Sequence, residues 1–93
     1  MLSTFPVDLA KTSQEEIDKQ ILRAALMAEL DAINIYEQMA GMAQSENIKK
    51  VLYAVAKEEK EHVGEFQTLL LMLDKEQVDE MKEGKKEVEE MIG

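Results

Sequence analysis

The chain has 93 residues and no cysteine, and its 20 acidic residues outnumber 11 basic ones, which gives a formal charge of −9. A chain of this length forms one small domain, and such domains often need a metal, disulfides or further chains for stability. Without cysteine, disulfides and zinc–thiolate sites are excluded, and the acidic balance without a basic stripe argues against a nucleic-acid partner. No apolar run could span a membrane and no signal peptide is recognisable, so we expect a cytoplasmic protein.

The first predicted element is an extended arm over residues 1–12, which contains the only proline, Pro6. Ser13 follows, with Glu16 three residues later, and this is the spacing of a capping box at the start of a helix. The sequence that follows is rich in Ala, Leu, Ile, Met and Glu. It predicts a first long helix over 13–43.

Two more helical segments follow the break that begins at Gly41. Ser45 is a suitable cap for a second long helix over 46–73. Asp74 is a suitable cap for a short C-terminal helical segment over 75–92. Within that segment we expect the well-formed helix to end near Gly84.

The predicted fold is all-α, a single domain over residues 1–93 built as an antiparallel two-helix hairpin with a short C-terminal helix. Each long helix has roughly 28 residues and a length of about 40 Å. Two such helices cannot cover wide apolar faces with each other alone. The simplest closed arrangement is a two-fold dimer in which two hairpins form a four-helix bundle.

Each long helix carries an acidic residue within its apolar stripe. The stripe of the first helix consists of Leu22, Ala25, Glu29, Ala32, Tyr36, Met39 and Ala43. The stripe of the second helix consists of Ile48, Leu52, Val55, Glu59, His62, Phe66, Leu69 and Leu73. Burying an unpaired carboxylate costs several kcal/mol, and neither stripe contains a Lys or Arg that could pair with it. These carboxylates are therefore expected to be protonated or to bind metal.

The sequence predicts a metal site made by Glu29, Glu59 and His62. Glu59 and His62 are three residues apart, so their side chains lie on one face of the helix. A dimer would gather four carboxylates and two imidazoles, a set that suits two divalent cations, with Fe or Mn favoured and Zn or Co possible. Tyr36 is expected either to touch this site or to be a core aromatic. Two alternatives stay open at this stage: a structural dimerisation hairpin that holds zinc or nothing, and a metal-binding or delivery module without redox turnover.

Two segments of the sequence resemble a known family. The string AELDAINIYEQMA contains Glu29 and Tyr36, and the string VAKEEKEHVGEF contains Glu59 and His62. Both resemble the encapsulated ferritins, short two-helix ferritin-like proteins housed inside encapsulin nanocompartments. The resemblance covers roughly residues 17–83. It is nearest to the archaeal type in which such a domain is fused ahead of an encapsulin shell protein.

The resemblance implies a ferroxidase that feeds iron storage in an encapsulin compartment. In that family Fe(II) is oxidised by O2 at a di-iron site between two chains, and the dimers assemble further into a ring, commonly a decamer. The resemblance implies that Glu29, Glu59 and His62 bind the iron and that Tyr36 lies beside it. It also implies a ferritin-like four-helix bundle and an encapsulin shell as partner.

The sequence departs from the family pattern at two positions. Ile35 stands where some members have Trp, and Ala28 stands where some have an acid, although Asp31 keeps another acid nearby. The family's outer iron-entry site is therefore not carried over to this chain. The sequence ends at Gly93 without an encapsulation tag or shell domain, as expected for a domain excised from a longer protein.

Overall fold

The computed structural model describes residues 12–93, and the predicted arm lies almost wholly outside the described residues. The helices are α1 (Gln14–Met42), α2 (Glu46–Leu73) and α3 (Lys75–Ile92). No strand occurs within residues 12–93. The all-α prediction is confirmed: α1 and α2 form a long hairpin, and α3 contacts only α2 among these helices.

Serine side chains cap the start of both long helices, as the sequence predicts. Ser13 Oγ accepts a hydrogen bond from the Glu16 N–H at 3.2 Å, and Ser45 Oγ accepts one from the Ile48 N–H at 3.3 Å. Each cap satisfies one of the free N–H groups of a first helical turn, which stabilises a helix by about 1 kcal/mol. The two caps fix where the chain enters α1 and where it turns back into α2.

The third helix does not end near Gly84, and this part of the sequence analysis is wrong. α3 is one continuous helix from Lys75 to Ile92, and Gly84 has no positive φ angle. A glycine inside a helix costs about 1 kcal/mol relative to alanine but does not force a break. Most of the residues around it are Lys, Glu or Met, which favour a helix and offset that cost.

The hairpin interior is narrow and is lined by small side chains. Ala40 is 0%, Ala56 1% and Leu70 5% exposed, so the two helix backbones approach closely. Met39 and Leu69, each one residue before a buried position, are 41% and 50% exposed. The interhelical contact is thus centred beside the apolar stripes, and one edge of each stripe stays open.

A large apolar surface remains uncovered in the single chain. Sixteen large apolar side chains are exposed: Ile21, Met27, Leu30, Ile35, Met39, Met42, Ile48, Val51, Tyr53, Leu69, Met72, Leu73, Met81, Val88, Met91 and Ile92. Covering one such side chain is worth about 1.5–3 kcal/mol, whereas a whole domain is stable by about 5–15 kcal/mol.

Among the described residues, none of the helices has the length and hydropathy that crossing a membrane requires.

The hairpin has two different sides. His62 and Leu71 are nine residues apart on α2, which places them on opposite sides of that helix. We call the side with His62 the site face, and the side with Leu71, where α3 begins, the α3 face. The site face also carries the exposed residues Ile21 and Leu69, which line one apolar hollow together.

Candidate metal centre

The three predicted ligands lie close together at the middle of the hairpin. His62 Nδ1 lies 3.3 Å from Glu29 Oε2 on α1 and 3.3 Å from Glu59 Oε2 on its own helix. One ligand atom from each residue lies within 4.8 Å of the other two. Within residues 12–93 this is the one group of three or more His, Cys, Asp or Glu side chains close enough to hold a metal ion.

The local geometry follows from helix periodicity and from the hairpin. Glu59 and His62 are one turn apart on α2, so their side chains emerge on the same face. Glu29 comes from the facing turn of α1, because the short connection between the helices makes them antiparallel neighbours. Two rigid helices thus hold the three ligands, which fixes their spacing better than a loop could.

The two carboxylates are largely buried, whereas the imidazole faces outward. The side chains of Glu29 and Glu59 are 18% and 17% exposed, and that of His62 is 42% exposed. The carboxylates therefore lose much of their water, while the site stays open on the side of His62. A second molecule that covers the site face would bury all three groups.

No basic side chain within residues 12–93 forms an ion pair with either site carboxylate. Lys19 pairs with Glu16 at 3.2 Å, Arg23 with Asp74 at 3.0 Å, and Lys60 with Glu37 at 3.1 Å. Among the described residues, the ion-pair partner of both Glu29 and Glu59 is the imidazole of His62. Two adjacent carboxylates without a Lys or Arg partner favour a bound cation.

The donor set fits an iron-type divalent ion. Carboxylate oxygens are hard ligands and imidazole is a borderline one, and this combination suits Fe or Mn as well as Zn or Co. One chain provides three ligands, which leaves coordination positions free for a substrate or for ligands of a second chain. An open position is what separates a catalytic metal site from a closed structural one.

Tyr36 lies on the same side of α1 as Glu29, seven residues further along the helix. It is half-buried, so its ring packs partly into the hairpin. Its contact with a metal stays a prediction. Glu61, the residue before His62 on α2, is exposed.

Sequence reasoning missed one polar contact between helices. The sequence gives no role to Arg23 and predicts Asp74 only as a helix cap. In the structure Arg23 Nη2 donates to Asp74 Oδ2 at 3.0 Å. The predicted antiparallel hairpin could have indicated this contact, because it brings the early turns of α1 beside the end of α2.

A helical hairpin with two glutamates and a histidine at its centre has the side-chain arrangement of the ferritin-like carboxylate proteins. The family model described as Rubrerythrin matches residues 20–92. The chain therefore belongs to the rubrerythrin family.

Two curated relatives and one solved structure are similar to the chain. It is 54% identical over 95 residues to the "Ferritin-like-encapsulin shell fusion protein" of Pyrococcus furiosus, a match that covers 100% of this chain and 28% of that protein. It is 38% identical over 73 residues to the "Encapsulin nanocompartment cargo protein EncC" of Myxococcus xanthus, covering 78% of this chain and 55% of that protein. The crystal structure of the encapsulated ferritin domain from Pyrococcus furiosus matches with a TM-score of 0.86 and 53% identity, covering 100% of this chain and 97% of that one. That likeness confirms the resemblance to encapsulated ferritins.

Proposed function

We propose that this protein is a ferroxidase, which oxidises Fe(II) with O2 at a site completed by two copies of the chain. The observation that carries the proposal is the convergence of Glu29, Glu59 and His62 at one half-buried point without a basic partner. In a chain of the rubrerythrin family, this donor set is best explained as an iron site.

The open coordination positions and the open apolar surface both call for a second copy. A two-fold axis through the site face would bring two half-sites together, giving four carboxylates and two imidazoles for two iron ions. The same contact would cover exposed apolar side chains such as Ile21, Val51 and Leu69. Dimerisation thus serves stability and chemistry at once.

In the proposed reaction Fe(II) is the substrate and the protein residues position it. Two Fe(II) ions supply two electrons, which reduce one O2 to hydrogen peroxide once two protons are taken from water. Glu29 and Glu59 offset the charge of the iron, and the harder Fe(III) product is favoured further by their oxygen ligands. His62 directs Nδ1 towards the two carboxylates and would fix the position of the iron. Tyr36 is proposed to lie beside the iron.

We further propose that the protein works inside an encapsulin compartment. The support is that one relative is named as a fusion to an encapsulin shell and another as an encapsulin cargo protein. The chain spans 28% and 55% of those two proteins. A shell of this kind would hold the iron that the protein oxidises.

The test is oxygen consumption on addition of Fe(II) to the metal-free protein. We expect O2 uptake that is catalytic in protein and that falls at least tenfold in His62→Ala. Glu61→Ala is the matched control, because Glu61 is an exposed acid on the same helix turn. Iron binding without O2 uptake would instead favour the non-redox binding module.

A further inference from the structure

Asp74 makes hydrogen bonds to all three helices at their junction. Its N–H donates to the Leu70 carbonyl at 2.9 Å, which closes α2. Its Oδ1 accepts from the Gln77 N–H at 3.0 Å, which caps α3, and its Oδ2 accepts from Arg23 Nη2 of α1 at 3.0 Å. One residue, only 8% exposed, therefore connects all three helices: its backbone bonds to α2, and its side chain bonds to α1 and α3.

Beyond this junction α3 has little support of its own. Gln77 and Val78 are half-buried, but every residue from Asp79 to Gly93 is exposed. The helix has 18 residues and a length of about 27 Å. Because only its first turn is held, a small rotation at Asp74 would displace its far end by many ångströms.

We propose that the Arg23–Asp74 ion pair fixes the direction in which α3 leaves the hairpin. The cap that Asp74 forms with Gln77 starts the helix but leaves the angle between α3 and α1 free. The bond from Arg23 removes that freedom, since it ties the capping carboxylate to the neighbouring helix. The side chain of Arg23 is 46% exposed and that of Asp74 is 11% exposed, so the acid is shielded from competing water.

The direction of α3 also determines the shape of an apolar pocket on the α3 face. This cavity of about 360 Å³ is lined by Arg23, Leu26, Met27, Gln67, Leu70, Leu71, Gln77 and Met81. Gln77 and Met81 are its α3 wall, and Arg23 lies both in the lining and in the ion pair. Loss of the pair would therefore open the pocket on one side.

The test measures the spread of α3 positions by pulsed electron–electron spin resonance. The chain has no cysteine, so spin labels can be attached at Gln38→Cys on α1 and Glu87→Cys on α3, both exposed positions. The labelled chain is mixed with a large excess of unlabelled chain, so that only distances within one chain are measured. The unmodified junction should give one narrow distance distribution.

Arg23→Gln and Asp74→Asn should both broaden this distribution. Asp74→Asn keeps an oxygen that can accept from Gln77 and so separates the charge pair from the cap. We also expect the amides of residues 75–81 to exchange about fivefold faster in both variants, as loss of a partly exposed charged hydrogen bond implies. Arg23→Lys should keep the distribution narrower than Arg23→Gln does.

Lys60→Gln is the matched control, because it removes another ion pair, with Glu37 at 3.1 Å, far from α3. An unchanged distribution in both Arg23→Gln and Asp74→Asn would overturn the proposal. Equal broadening in Lys60→Gln would also overturn it, since the cause would then be a loosened hairpin. Broadening in Asp74→Asn without broadening in Arg23→Gln would overturn it as well, because the bond from Arg23 would then not be needed.

Discussion

Glu29 and Glu59 lie side by side at the edge of the hairpin, each less than one-fifth exposed and each 3.3 Å from the same imidazole nitrogen. A cation held between the two carboxylates would offset both of their charges. We therefore predict that the pair gives the protein affinity for metal at a cost in stability when no metal is bound.

The first prediction is that each of the three ligands is needed for metal binding. Glu29→Ala, Glu59→Ala and His62→Ala should each weaken Co(II) binding at least tenfold, because each removes one of the three donors of a chain. Titration followed by the visible absorption of Co(II) measures this directly. Glu61→Ala should bind like the unmodified protein, and full occupancy in Glu29→Ala would refute the assignment.

The second prediction is that Glu29→Leu stabilises the metal-free protein. Replacing a buried carboxylate by an apolar side chain of similar size should raise stability by roughly 1 kcal/mol, or about 4–8 °C in Tm for a domain of this size. Thermal unfolding in the presence of a chelator is the measurement. A lower Tm in Glu29→Leu would mean that the carboxylate is well solvated or well paired without metal.

Among the helix caps of residues 12–93, Asp74 is the one whose side chain also bonds to another helix. Ser13 and Ser45 each accept one backbone N–H, whereas Asp74 accepts a backbone N–H and a guanidinium N–H. The hydrogen bond from the Gln77 N–H, the bond from Arg23 and the charge of Lys19 together hold the pKa of Asp74 below its usual 3.8, against the effect of burial. The carboxylate is therefore ionised in the folded protein under all but strongly acidic conditions.

The third prediction follows from that lowered pKa. A carboxyl group whose pKa is lower in the folded state contributes stability above its unfolded pKa of 3.8, and this is lost as pH falls through the folded pKa. The unmodified protein should therefore be more stable than Asp74→Asn at pH 6, and the difference should shrink below about pH 4. Thermal unfolding across this range provides the comparison. A difference independent of pH would show that the charge has no role.

At the scale of the whole molecule, the described chain is thin for its length. It measures 49 × 42 × 19 Å, one dimension being little more than two helices thick, and its buried apolar residues are few and small. We therefore expect such a molecule to gain stability through contact with further copies. Because the proposed metal ligands lie on an open face, we expect that assembly to depend on metal.

The fourth prediction is that divalent metal promotes assembly. Bringing two half-sites together without metal would place four carboxylates near one axis, and bound cations would offset their repulsion. Native mass spectrometry with and without Fe(II), Zn(II) or Co(II) at neutral pH should show a shift to dimers or larger rings, along with a higher Tm. Identical oligomer distributions under all conditions would count against a shared site, and Glu29→Ala serves as the control that cannot respond.

The fifth prediction is that the protein oxidises iron but does not store it alone. The helices enclose no volume that could hold a mineral, and the apolar faces are needed for contacts between chains. Aerobic loading with many Fe(II) per chain should therefore give turbid Fe(III) precipitate, followed by light scattering and sedimentation. A soluble mineral core formed without any shell protein would contradict this.

The three helices and the residues of the candidate site could be predicted from local sequence. Helix caps at Ser13 and Ser45 are local signals, since a serine contacts an amide only three residues away. Glu29, Glu59 and His62 were recognisable because polar residues in an apolar stripe violate a periodicity that local sequence fully specifies. The helix end predicted near Gly84 was wrong because one glycine lowers the helix propensity of a segment but does not by itself end a helix.

Which edge of each stripe is buried, and how the helices are joined, depends on tertiary packing. The buried residues are Ala40, Ala56 and Leu70, and the pattern of one helix does not show which of its residues will face the other helix. The contact between Arg23 and Asp74 spans 51 positions of sequence and depends on the register of the antiparallel pair. Such contacts follow from packing in three dimensions, which residue spacing along one helix cannot express.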